Sequence, residues 1–202
     1  MSERIAIFGG TFNPPHLGHR RALEALIDKV KPDRVLVIPD GIPPHKELVG
    51  NATDEDRLTM ARIAFSDLPE VEVSDMEMRR AGKSYTSDTL LLLKKDGREL
   101  FLLVGGDMLL TLDRWHEFRT IFSLATVCAV SREADVHSYE TLCDTAARYK
   151  REYGARILMI NAEPFPISSS ALREYILEDK DGICELMDTR VLGYIKDRGL
   201  YV

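Results

Sequence analysis

The chain has little cysteine, a single tryptophan and no long apolar run. Its three cysteines, Cys128, Cys143 and Cys184, are odd in number and far apart, which excludes a disulfide framework and a short-spaced metal knuckle. All three read as buried unpaired thiols. Apolar runs such as 90–93 fall far short of a bilayer span, and Met1-Ser2-Glu3-Arg4 is not a charged-then-apolar leader. The expectation is a cytoplasmic protein with no membrane partner. Positive charge is scarce as well: 27 Lys and Arg stand against 33 Asp and Glu, for a net charge of -6, and the basic residues form no long run. Binding a phosphate backbone normally needs a basic face, so nucleic acid is not an expected partner. Missing too are G-x-G-x-x-G and G-x-x-x-x-G-K-[ST], so neither a redox dinucleotide module nor a P-loop follows. No repeat, low-complexity tract or long Gly/Ser linker divides the chain, and 202 residues suit one domain (1–202). A homo-oligomer is compatible with the sequence, which does not set the oligomeric state.

What is present is a regular alternation of strand and helix. Arg4 to Phe8 is a short β-branched and aromatic run that ends at Gly9-Gly10, as a buried parallel strand does. From Leu17 to Val30 the apolar residues Leu17, Ala22, Leu23, Leu26, Ile27 and Val30 recur on one helical face. Further strands are expected at Arg34–Pro39, Val71–Val73, Leu100–Val104, Thr126–Val130 and Arg156–Ile160. Helices are expected near Asp54–Phe65, Thr86–Lys95 (capped by Ser84 or Thr86) and Ser138–Tyr153, with another beginning at Ile167. The pattern implies an α/β fold: a Rossmann-like parallel sheet of about six strands with helices on both faces and a small helical C-terminal part, about residues 165–202. Ligands of such sheets bind outside the carboxyl ends of the strands. Gly9-Gly10 and Gly105-Gly106-Asp107 both fall there.

Between the first strand and first helix runs Gly9-Gly10-Thr11-Phe12-Asn13-Pro14-Pro15-His16-Leu17-Gly18-His19. A glycine pair lets a ligand approach the main chain, and the helix start beyond it offers unpaired N–H groups and the positive end of a dipole. His16 and His19, three apart, can reach one phosphate group together. They also suit a metal pair or ordinary helix-start histidines, but a metal needs further ligands and the other Cys and His form no short cluster. No protein metal site is expected. The loop Pro39-Asp40-Gly41-Ile42-Pro43-Pro44-His45-Lys46 is stiffened by proline and can hold Lys46 over the same edge as a point charge; in isolation a solvated surface lysine is the better reading, and the Gly9–His19 segment reverses that preference. Ser168, Ser169 and Ser170 open a helix with hydroxyls and free N–H groups, and Arg173 follows one turn in. Alone this is a capped helix; opposite the His16/His19 loop it becomes the second jaw of a triphosphate clamp.

The G-G-T-F-N-P-P-H-x-G-H segment resembles the H-x-G-H signature of the nucleotidyltransferases. Together with Pro43-Pro44-His45-Lys46, Ser84-Tyr85-Thr86 with Thr89, Gly105-x-Asp107 followed by Trp115, and Ile167 to Ser170 with Arg173, it is similar in order and approximate spacing to the bacterial nicotinate-nucleotide adenylyltransferases over nearly the whole chain. That resemblance implies an enzyme of NAD biosynthesis that joins ATP and nicotinate mononucleotide into deamido-NAD and pyrophosphate, with Mg²⁺ carried by the ATP. It implies that Gly9, Gly10, Thr11 and Phe12 lie against the adenylate, and that His16 and His19 contact the ATP phosphates. Gly105 and Asp107 would hold the ribose, and Ser168, Ser169, Ser170 and Arg173 the triphosphate. Asn13, Lys46, Tyr85, Thr86 and Trp115 would meet the mononucleotide, with the indole stacked on the pyridine. Beside charged Arg114, His116 and Glu117, Trp115 reads as an exposed rim; a core anchor is the alternative. His16, His19, Lys46 and Arg173 would carry the catalysis. Asn13 stands where Asp is common in the family and Ser170 where Thr is. Related enzymes with nicotinamide mononucleotide or phosphopantetheine as acceptor, or a noncatalytic nucleotide sensor, are the competing readings.

Overall fold

In chain order the elements are β1 (Glu3–Gly10), α1 (Leu17–Val30), β2 (Arg34–Pro39), α2 (Asp54–Ala64), β3 (Val71–Val73), α3 (Thr86–Leu93), β4 (Arg98–Gly105), α4 (Gly106–Thr111), α5 (Phe118–Leu124), β5 (Ala125–Ser131), α6 (Val136–Tyr153), β6 (Arg156–Asn161), α7 (Ser169–Leu177) and α8 (Thr189–Arg198). This computed structural model describes residues 2–43, 49–131, 136–163, 165 and 167–202, and for 136–138 the backbone alone. Short 3-10 turns follow α4 at Leu112–Arg114 and precede α8 at Ile183–Glu185. The strands form one parallel six-stranded sheet in the order β3-β2-β1-β4-β5-β6.

Alternation along each strand divides the core in two. Ala6 and Phe8 of β1, Val35 and Val37 of β2, Phe101 and Leu103 of β4, and Cys128 and Val130 of β5 face α1, α2, α7 and α8. Ile5, Ile7, Leu36, Ile38, Leu100, Leu102, Val127 and Ala129 face the opposite layer, with Leu90 of α3, Leu109 of α4, Ile121 of α5 and Tyr149 of α6. The C-terminal residues Leu172, Ile176, Val191, Ile195 and Tyr201 belong to the first of these clusters, so the helical C-terminal part shares the core of the sheet rather than building its own.

Three expectations change. Helices α4 and α5, of six and seven residues, were not anticipated, because two turns are too short for an apolar period to show. Helix α3 takes Tyr85 as its N-cap with no side-chain cap bond; the Ser84 hydroxyl instead accepts the Gly41 N–H at 3.0 Å. Of the cysteines, Cys128 is buried, with burial pushing its thiol up to about 12, whereas Cys143 is half-buried and Cys184 exposed. All three are free thiols.

Candidate active site

Strand order reverses between β1 and β4, and at such a switch point the loops leaving neighbouring strands part to open a crevice. Those two strands end at Gly9-Gly10 and at Gly105, which leads into α4. A Cβ on Gly105 would lie 2.6 Å from Asp107 Oδ1, so the carboxylate rests close against the Gly105 backbone. Asp107 itself is exposed.

The loop from Thr11 to His16 is held from several sides. His16 caps α1 and forms a reciprocal box with His19. The His19 N–H donates to His16 Nδ1 at 3.3 Å, and the His16 N–H to His19 Nδ1 at 3.2 Å. The ring centroids are 3.7 Å apart. A neutral imidazole that accepts at Nδ1 carries its proton on Nε2, so each ring has Nε2–H as its donor. Gly18 is explained by the same packing, since a Cβ there would meet His16 Nδ1 at 2.9 Å. The pair therefore serves as the helix cap, and the three-residue spacing is what the capping box requires.

Facing α1 is the start of α7. Ser168 caps it by accepting the Ala171 N–H at 3.1 Å. The Ser169 hydroxyl donates to the Pro14 carbonyl at 2.9 Å, and Arg173 Nη1 donates to the Asn13 carbonyl at 2.7 Å. Arg173 Nη2 reaches Ser170 Oγ at 3.1 Å. These acceptors are neutral oxygens, so they orient the guanidinium without cancelling its charge. The Leu17 N–H also donates to the Leu186 carbonyl at 2.9 Å. Two helix N-termini distant in sequence thus meet through Asn13 and Pro14, and they gather positive potential locally on an acidic chain.

A third support went unread in the sequence. Arg57 of α2 is fully buried, and it donates to the Thr11 carbonyl and Asp40 Oδ1, both at 3.0 Å, and to the Asp40 carbonyl at 2.7 Å and Asp54 Oδ1 at 2.8 Å. Thr11 Oγ1 donates to Asp40 Oδ2 at 3.1 Å. One guanidinium therefore locks the loop after β1 to the end of β2. In the sequence Arg57 resembles any solvated helix arginine; a polar Asp40 at a strand's carboxyl end was the one available signal.

On the β4 side, Tyr85 stacks on His116 with centroids 4.1 Å apart at 30°. The stack brings Tyr85 and Thr86 together with the segment holding Trp115. Trp115 is half-buried against the core, between the rim and anchor readings. Behind Tyr85, buried Glu77 accepts from Thr89 Oγ1 at 2.5 Å, and Arg80 donates to the Tyr85 carbonyl at 3.3 Å. Burial raises the Glu77 carboxyl above its ordinary range, against the opposing pull of Thr89 and Arg80.

A family model described as Cytidylyltransferase-like matches residues 7–175. A "Probable nicotinate-nucleotide adenylyltransferase" of Geobacter metallireducens is 36% identical to this chain over 98% of both, and one of Roseiflexus sp. is 38% identical over 99% of this chain and 98% of its own. The chain belongs to the nicotinate-nucleotide adenylyltransferase family. Its fold is similar to that of Plasmodium falciparum nicotinic acid mononucleotide adenylyltransferase complexed with NaAD, with a TM-score of 0.74, 19% identity and coverage of 98% of this chain and 97% of that one.

For a nicotinate-nucleotide adenylyltransferase, two of the anticipated contacts take a different form. The Phe12 ring is 1% exposed, packed edge-on to Phe8 and Phe65 and against His19. It is core, and that residue can meet an adenylate only through its backbone. Asn13 is 4% exposed; its Nδ2 donates to the Val49 carbonyl at 2.9 Å and its Oδ1 accepts from Tyr201 at 2.6 Å. Its amide faces inward and supports the loop instead of presenting itself to a mononucleotide. Gly9, Gly10, Thr11, His16, His19, Ser168, Ser169, Ser170 and Arg173 belong to the β1 loop and the helix starts bonded to it, while Tyr85 and Thr86 join the segment that holds Trp115 through the stack on His116. Lys46 lies outside the described residues. Among the described residues no three His, Cys, Asp or Glu side chains group as metal ligands, and no helix is long and apolar enough to cross a membrane.

Proposed function

We propose that this protein transfers the adenylyl group of MgATP to the 5′-phosphate of nicotinate mononucleotide, releasing pyrophosphate and forming deamido-NAD. The observation that carries this reading is the junction of α1 and α7, where Arg173 and Ser169 bond the backbone that leads into His16. A triphosphate placed there meets two helix N-termini, two imidazole donors and a guanidinium.

A phosphate monoester has its second pKa near about 6, so the attacking oxygen is already anionic near neutrality and needs no general base. It forms a bond to the α-phosphorus as the bond to the bridging oxygen of pyrophosphate breaks. Catalysis then consists of alignment and of stabilising charge on the equatorial and departing oxygens. Nε2–H of His19, with that of His16, serves the α-phosphate. Arg173 and the serines at the start of α7 serve the departing pyrophosphate. Backbone at Gly9, Gly10 and Thr11 approaches the adenylate, with Gly105 and Asp107 at its ribose. Tyr85, Thr86 and Trp115 receive the mononucleotide. Mg²⁺ enters as part of the nucleotide substrate, held by phosphate oxygens and water.

The test is pyrophosphate release with nicotinate and nicotinamide mononucleotides at matched concentrations. Faster release with the acid is expected. Equal or reversed rates would overturn the acceptor, and ATP binding with no release from any mononucleotide would indicate a nucleotide sensor.

A further inference from the structure

Beyond α8 a tyrosine packs back under the loop that follows β1. Tyr201 is 6% exposed and sits at φ 65°. Its N–H donates to Asn51 Oδ1 at 2.8 Å, and Asn51 Nδ2 donates to the Gly199 carbonyl at 2.9 Å, which clips the tail in place. A Cβ on Gly50 would touch the Tyr201 ring at 3.0 Å, so the ring packs directly on that backbone. From this seat the phenol donates to Asn13 Oδ1 at 2.6 Å across 188 positions of sequence.

Asn13 is consequently tied at three polar groups to three remote segments: Oδ1 to Tyr201, Nδ2 to Val49, and its carbonyl to Arg173. We infer that Tyr201 is a positioning residue for nucleotide binding: its hydroxyl fixes the Asn13 amide, and through Asn13 the backbone that aims Arg173 and leads into His16. This rests on the reading that the α1–α7 junction receives the triphosphate. Removing the hydroxyl leaves a buried acceptor without its donor, a deficit the loop relieves by shifting. A shift of about 1 Å in a positioning element is worth up to about a hundredfold in rate.

The decisive comparison is Tyr201→Phe against Tyr194→Phe in the full chain. Tyr194, on α8, donates its hydroxyl to Asp56 Oδ1 at 2.8 Å, so its loss loosens the same C-terminal region without touching Asn13. With MgATP alone as titrant, Tyr201→Phe should weaken binding about tenfold, and with both substrates lower kcat further, while Tyr194→Phe lowers the melting temperature and leaves both values within twofold. In an Asn13→Ala background, Tyr201→Phe should make less than a twofold further difference, because the two residues act as one unit. Unchanged ATP affinity in a folded Tyr201→Phe protein would overturn the inference, and so would an equal loss in Tyr194→Phe. Titration of MgATP requires no acceptor. An enzyme that binds ATP but leaves nicotinate mononucleotide untouched would therefore defeat the proposed reaction while still deciding the role of Tyr201.

Discussion

Replacing His19 with alanine removes three things at once: the Nε2–H donor, the Nδ1 acceptor that caps the His16 N–H at 3.2 Å, and a ring lying 3.7 Å from His16 and 5.1 Å from Phe12. The first loss acts on the transition state. By the measure of one preorganised donor aimed at developing charge, it should raise the barrier by about 2.7–4 kcal/mol, a hundred- to a thousandfold in kcat. The other two act on stability. A lost cap costs about 1 kcal/mol and truncating a half-buried ring adds a similar amount, which a domain stable by about 5–15 kcal/mol survives. Steady-state pyrophosphate release and a thermal melt on the same sample separate the two effects. We expect a folded protein whose kcat collapses while KM for ATP changes little, as for a group that binds the transition state more tightly than the substrate. A folded His19→Ala protein turning over within about threefold of the parent would refute the assignment of His19 to the α-phosphate and would reduce the pair to a helix cap.

Trp115→Ala should raise KM for the mononucleotide more than KM for ATP; equal effects on both would make the indole a packing element. Arg57→Met exchanges a fully buried guanidinium for an apolar side chain, and it forfeits the bonds to Thr11, Asp40 and Asp54. It should cost about 3–5 kcal/mol by chemical denaturation, and a loss below about 1 kcal/mol would show that the loop holds without it. Asp56 supplies a pH test: burial alone would raise its carboxyl, but bonds from Thr53, Tyr194 and Arg198 prevail and hold it at about 2, against an ordinary 3.8. Because the folded value is the lower one, this stabilisation is complete above about pH 4 and fades as the pH falls toward 2. Denaturation midpoints across that range should fall less steeply for Asp56→Asn than for the parent, and parallel curves would exclude Asp56 as a source of acid sensitivity.

The amino-acid sequence determined most of the scaffold by itself, because its signals are local. A 3.6-residue apolar period marked Leu17–Val30, and short β-branched runs marked Arg34–Pro39 and Val71–Val73, at the bounds that the fold adopts. The His16–His19 spacing encoded a capping box whose partners sit three residues apart, and Gly18 records the ring lying over it. Only the tertiary structure decided what holds this loop, since its supports arrive from 46, 160 and 188 residues away in Arg57, Arg173 and Tyr201. It likewise turned Phe12 and Asn13 inward, placed Trp115 half in the core and stacked His116 on Tyr85. A helix cap or an apolar stripe is satisfied within one turn and leaves its mark in spacing. The partner of a buried guanidinium or phenol is chosen by how strands are ordered in the sheet, and no spacing along the chain records that choice.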